Sequence, residues 1–193
     1  MITRLVQVTA PTQEPVTAAD MAAHSRIDVD DEDLLNVYIK AARQWCEAYT
    51  RRAFITQTWD AYFDYWPASP VYLPLPPLQS VTSWKYTDDA GATSTWASTN
   101  YLVSAGSPGR VFVTTDATFP SVTLQEADGV VIRFVCGYGN APNATPENVR
   151  QAIRLLTAHL YENREPTITG TIITPVQFSL EALLYPSRYW VKQ

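Results

Sequence analysis

The hydrophobic period of this chain changes twice. From Leu34 to Tyr49 apolar side chains recur every three or four residues, as an amphipathic helix requires. Leu34, Tyr38, Ala41, Trp45 and Tyr49 form one stripe, with Leu35, Ala42 and Cys46 beside it. Asn36, Lys40, Arg43, Gln44 and Glu47 form the opposite face. From Phe54 the period falls to two. Trp59, Ala61, Phe63 and Tyr65 alternate with Asp60, Tyr62, Asp64 and Trp66, which predicts a strand. After Pro146 the helical period returns, with Val149, Ile153, Leu156 and Leu160 as the buried stripe of a helix reaching about Asn163.

The ends of these segments carry their own signals. Thr17 and Asp20 stand at capping-box spacing, so a short helix is expected there, ending near His24 or Arg26. Five acids crowd Asp28 to Asp33, where negative charge favours the start of the following helix, from about Asp31 to Tyr49. Thr145-Pro146 predicts a capping Thr followed by Pro at the first helical position. Ser179 to Tyr185 fits a last short helix before Pro186. Residues 1 to 16 alternate only weakly and contain Pro11 and Pro15, so they read as an extended arm.

The middle of the chain reads as many short strands. Leu73-Pro74-Leu75-Pro76-Pro77 is no central strand, because proline cannot donate to a ladder; an edge or a polyproline-like crossing fits. Val81 to Thr87, the turn at Asp88-Asp89-Ala90-Gly91 and Ser94 to Ala97 predict a hairpin. Further strands are expected near Tyr101 to Val103, Arg110 to Thr114, Val122 to Gln125 and Val130 to Cys136, with a tight turn at Gly137-Tyr138-Gly139. Short spacing between strands predicts antiparallel pairing. The expected fold class is α+β. Residues 1–52 and 140–193 supply a small helical bundle from both chain ends, and residues 53–139 an inserted antiparallel β domain.

Composition narrows the function. The 193 residues suffice for a buried core without disulfide staples. Six Trp and eleven Tyr hint at interfaces. A net charge of −5 argues against a general nucleic-acid binder, which needs a basic face. The first fifty residues hold eight acids against four Lys/Arg. Cys46 and Cys136 show no C-x-x-C pattern, so reduced thiols are expected. No secretory leader and no apolar run of membrane-spanning length is read from the sequence.

Candidate chemistry is thin. His159 and Glu162 share a helix face but lack a second ligand pair, so no metal is expected. Gly137-Tyr138-Gly139 lacks the strand, lysine and helix of a phosphate loop. No serine lies in a nucleophile-elbow motif. The chain therefore reads as no enzyme, with no cofactor. Arg150, Arg154 and Arg164 keep near one helix face and invite either solvent or an acidic partner. Trp59, Trp66, Trp84 and Trp96 suggest an alternative, a carbohydrate- or receptor-binding β module of a virion or cell-surface assembly.

Several stretches, spread in order over about residues 17 to 189, resemble the head–tail connector (adaptor) proteins of long-tailed phages. Within these they resemble the subfamily that carries a β insertion and includes the gene transfer agent adaptor. They are Asp30-Asp31-Glu32-Asp33-Leu34-Leu35 leading to Glu47-Ala48-Tyr49-Thr50, then Arg52-Ala53-Phe54-Ile55-Thr56-Gln57-Thr58-Trp59. Leu73-Pro74 with Pro76-Pro77, Gly137-Tyr138-Gly139, His159-Leu160-Tyr161-Glu162-Asn163-Arg164-Glu165, and Leu183-Leu184 with Pro186 and Arg188 follow. Arg51 departs from the pattern, which often has Gly there, where a helix C-terminus welcomes it.

The resemblance implies a virion protein made in the host bacterial cytoplasm. It implies a ring of about twelve subunits under the portal, contacting the portal protein and a tail-side connector or tail terminator. DNA passes through the channel without sequence-specific binding, and no membrane is involved. Such a ring needs unlike surfaces on the two sides of each subunit. Asp30, Asp31 and Asp33 facing Arg150 and Arg154 of a neighbour are the candidate subunit contact. Phe178, Tyr185, Arg188, Tyr189 and Trp190 of the tail are the candidate portal contact.

Overall fold

The computed structural model describes residues 1–25, 32–163 and 175–190. It is α+β and divides into two compact units, residues 1–11 with 56–138 and residues 12–55 with 139–193.

The first unit is antiparallel β structure. Its strands are β1 (Arg4–Thr9), β2 (Gln57–Phe63), β3 (Val71–Leu73), β4 (Leu78–Thr87), β5 (Thr93–Trp96), β6 (Tyr101–Ser104), β7 (Gly109–Val113) and β8 (Val130–Cys136). Five pair in the order β1-β2-β8-β4-β5 and three in the order β3-β7-β6. Strand β8 lies centrally and shows the alternation that its sequence predicts: Val130, Ile132, Phe134 and Cys136 point into the core. Its register sets Ala61 opposite Ile132 and Trp84 opposite Ile132 from the other side. The expected hairpin is present as β4 and β5, closed by Asp88, whose carboxylate accepts the Ala92 N–H at 2.8 Å.

Two expectations for this unit change. Arg4–Thr9 is no free arm: it forms the edge strand on β2, with Val6 opposite Asp60. The segment from Val122 to Gln125 forms no strand and contributes only an isolated bridge from Leu124 to Asp88. Trp59 is half-buried on β2, its indole N–H donating to Gln57 at 3.0 Å, and the other three tryptophans cluster. Trp84 and Trp96 are buried, 4.9 Å apart edge to face, and Trp66 stacks on Phe119 at 4.5 Å beside them. Trp84 and Trp96 are thus core, while Trp66 is half-buried, which leaves the β-module alternative less aromatic surface than the sequence suggests.

The second unit is helical: α1 (Ala18–Ser25), α2 (Glu32–Thr50), α3 (Glu147–Glu162) and α4 (Pro175–Leu184). The capping box forms as its spacing predicts. The Thr17 N–H donates to Asp20 at 2.9 Å and the Asp20 N–H donates to the Thr17 hydroxyl at 3.1 Å. Thr145 does not cap α3 with its side chain; its buried hydroxyl donates instead to the Phe54 carbonyl. Val149, Ala152, Ile153 and Thr157 form the buried face of α3, with Leu156 and Leu160 half-buried.

Helix α2 is rotated relative to the face its sequence suggests. Its core line is Leu35, Ile39, Ala42 and Cys46, while Leu34, Tyr38 and Tyr49 are half-buried and Ala41 and Trp45 exposed. Arg43, expected on the polar face, is buried. At its end Arg51 takes the left-handed conformation, φ 56°, and the Arg52 N–H returns to the Glu47 carbonyl at 3.2 Å. That is the closing bond of a Schellman turn, so the backbone keeps a conformation suited to Gly despite the arginine.

Gly109 illustrates how tightly the β unit is built. A Cβ there would fall well inside contact with the Leu78 side chain, whose backbone bonds Gly106 in both directions at 2.8 Å. Gly109→Ala is therefore expected to lower stability by about 1–3 kcal/mol, the range for overpacking. The check is the urea midpoint of unfolding followed by tryptophan fluorescence.

Candidate functional site

The helical unit carries an exposed surface of aromatic rings and arginine at the C-terminal end of α2. Its foundation is a buried charge cluster. The Arg43 guanidinium, 4% exposed, donates to Glu14 at 2.6 Å and pairs with Glu47 one turn along the same helix. Burial opposes the charge on Arg43, but Glu47 and Glu14 outweigh it and hold the pKa above the ordinary value. Glu47 also accepts the Phe54 N–H at 2.9 Å. One carboxylate thus fixes the helix, its exit turn and the segment after it.

With Arg43 turned inward, the aromatic stripe of α2 faces outward. Trp45, 40% exposed, stacks on Tyr49 at 5.5 Å between centroids. The chain after α4 returns to this end of α2. Tyr189 N–H donates to the Thr50 carbonyl at 2.8 Å, and Arg52 donates to the Ser187 carbonyl. Asn148 of α3 holds the same stretch through the Leu183 carbonyl at 2.8 Å and the Ser187 hydroxyl at 2.9 Å. The tail is therefore pinned at its backbone while its rings project. Arg188 lies over Tyr49 at 5.2 Å and over Trp190 at 4.5 Å, and Trp190 meets Tyr185 edge to face at 5.9 Å. Tyr185 and Trp190 are 60% and 58% exposed. Aromatic residues and arginine are the types that anchor protein interfaces.

The structure brings Tyr185, Arg188, Tyr189 and Trp190 to the end of α2 that carries Trp45 and Tyr49, two members of its apolar stripe. Phe178 lies on α4; its side chain, with Asp30 and Asp31, falls outside the described residues. Asp33 is exposed in the first turn of α2. Arg150 and Arg154 are committed within their own unit. Arg150 donates to the Pro15 carbonyl at 3.0 Å and to Glu147 at 2.7 Å, and lies 3.8 Å from Asp20. Arg154 pairs with the other oxygen of Glu147 and with Gln151.

Catalytic and metal chemistry finds little support in the geometry. Among the described residues no cluster of His, Cys, Asp or Glu could hold a metal, and the His159 ring lies 3.2 Å from the Asn163 amide. Both cysteines are buried, and burial pushes the Cys46 thiol up to about 12. In the β unit an open cleft of about 750 Å³ is lined by Asp64, Tyr65, Trp66 and residues 122–126. No described helix is long and apolar enough to cross a membrane.

No protein-family model and no curated protein sequence matches the chain. Solved structures do. A chain of the neck of an empty gene transfer agent particle, computed with C6 symmetry, has a TM-score of 0.81 and 24% identity, over 99% of this chain and 98% of that one. A chain of the native gene transfer agent virion gives 0.80 at 24% identity with the same coverage. A chain of the native neck computed with C12 symmetry gives 0.79 at 25% identity, again with the same coverage. The resemblance read from the sequence holds at the level of the whole fold.

The charge cluster around α3 makes a pH-dependent contribution. A backbone hydrogen bond from Thr17, helped by Arg150 and Arg154, holds the Asp20 carboxyl below its ordinary range. A hydrogen bond from Arg154 does the same for Glu147. A depressed folded-state pKa stabilises above the unfolded value, and that stability is lost as pH falls. Glu147→Gln is expected to melt at a lower temperature than the parent at neutral pH. The gap should close as pH falls from about 5 to about 3, in melts followed by circular dichroism at helix wavelengths.

Proposed function

We propose that this protein is a structural component of a virion neck. In this reading it is a head–tail connector that forms a ring under the portal, joins capsid to tail and continues the DNA channel. The observation that carries the reading is the shared fold over nearly the full length of both chains, with neck structures computed under sixfold and twelvefold symmetry. A non-catalytic role accords with chemistry that is thin throughout the described residues. The net charge of −5 suits a channel wall past which DNA slides without adhering.

In this reading the partners are further copies of the chain, about twelve to a ring, the portal protein on one side, and a tail-side connector or tail terminator on the other. The protein is made in the host cytoplasm and resides at the head–tail joint. The tail is the portal contact in this reading, through Phe178, Tyr185, Tyr189 and Trp190. The Tyr189 N–H bonded to the Thr50 carbonyl and the Arg52 side chain bonded to the Ser187 carbonyl hold it in place before binding, which lowers the ordering cost of docking.

Two experiments test this. Electron microscopy of the purified protein mixed with its portal should show a closed ring of this chain; a single asymmetric copy overturns the reading. Tyr185→Ala removes an exposed ring that holds up no core, so the melting temperature should stay put. Portal affinity should fall by about tenfold or more if the tail anchors the contact. Unchanged affinity by interferometry takes this part of the tail out of it.

A further inference from the structure

Two groups at opposite ends of α2 enter no ion pair among the described residues. At the C-terminal end stands Arg188, flanked by Tyr49 and Trp190. Rings against a guanidinium occupy its faces and leave its in-plane N–H donors available to an acceptor. The ion pairs among the described residues engage Arg4, Arg43, Arg133, Arg150 and Arg154, and Arg188 is in none of them. Exposed Arg51 adds charge at the same end. At the N-terminal end Glu32 and Asp33 are exposed and likewise enter no ion pair among the described residues. Asp33 and Tyr49 stand sixteen positions apart, about 24 Å at the helical rise of about 1.5 Å per residue. One subunit cannot join its own two ends.

We propose that the Arg188 cradle of one subunit receives Asp33, with Glu32 beside it, from the next copy of this chain. The α2 helices then follow one another head to tail. This assignment rests on the ring reading above. A heterologous interface demands two different, complementary surfaces on each subunit. A single helix offers both here: acids at its start, and a cation in an aromatic frame at its end. The Trp45–Tyr49 stack extends that frame along the helix. Arg150 and Arg154, expected to meet a neighbour's acids, are occupied by Glu147, Asp20 and Pro15. Arg188 is a cation at the end of α2 that enters no ion pair among the described residues and is set in an aromatic frame. Tyr185 and the outer side of Trp190 remain for the portal.

Charge exchange tests the contact. Ring formation on the portal is measured by analytical ultracentrifugation and electron microscopy, with melting curves to establish that each variant folds. Arg188→Glu should raise the concentration needed for ring closure by about tenfold, and Asp33→Lys should do likewise. The two together should restore closure. Restoration identifies the pair; failure to restore, or a single reversal that leaves assembly intact, overturns it. Arg188→Glu losses that Asp33→Lys does not mend point to the portal as the true owner of Arg188. A parent protein that forms no ring overturns the ring reading itself. A second variant removes the dependence on charge at the helix start. The double variant Asp33→Cys, Arg188→Cys should form a ladder of disulfide-linked subunits on mild oxidation of the ring. The buried native cysteines should not compete. An absent ladder in a ring that electron microscopy shows to be closed separates the two positions and overturns the contact.

Discussion

The helical unit depends on one buried cation. Arg43 is taken out of water against Glu14 and Glu47, and removing one partner from such a set costs about 3–5 kcal/mol. Three pieces of chain meet through it. Glu14 belongs to the segment entering α1, Glu47 to α2, and Glu47 also holds the Phe54 N–H beyond the helix. The Arg52 N–H closes on the Glu47 carbonyl in the same turn. The exit from α2, and hence the seat of the tail against Thr50, follows from where this guanidinium sits.

The rotation of α2 has the same origin. Two apolar lines run along it, Leu34 to Tyr49 and Leu35 to Cys46, and periodicity alone ranks the line with the larger rings as core. Arg43 adjoins the second line, and once its charge is neutralised by Glu14 and Glu47 that line can turn inward. The sequence could not show this. Glu14 lies 29 positions away, in a segment with no helical period of its own. Trp45 is left outside, stacked on Tyr49. A large aromatic held at the surface by rigid neighbours loses little conformational freedom on binding, so the inward charge and the outward rings are two results of one choice.

What could be read in advance was local. The Thr17–Asp20 box, the alternation of β8 and the hairpin around Asp88 all rest on residues within a turn or two of each other, and all formed. The resemblance also carried the overall architecture. What escaped was set by distant partners. Arg4–Thr9 is too polar and too near proline to declare itself a strand, and becomes one because Gln57–Phe63 offers an edge far along the chain. Val122 to Gln125 has strand composition but finds only Asp88 to bridge. The tail's aromatics are visible in the sequence; that the Tyr49 ring frames Arg188 is not, because the two lie far apart along the chain.

Charge placement links these parts to assembly. Most arginines in ion pairs are consumed inside their own unit: Arg43 in the buried cluster, Arg150 and Arg154 on Glu147, Arg133 on Asp60 at 2.8 Å. The chain carries a net charge of −5, so its copies repel one another at long range. Closing a ring from such subunits calls for a cation exposed at one defined place and kept from folding back onto its own acids. Aromatic flanking does this. Tyr49 and Trp190 flank the Arg188 guanidinium, which enters no ion pair among the described residues; in the proposed ring its N–H donors take their acceptor from another chain.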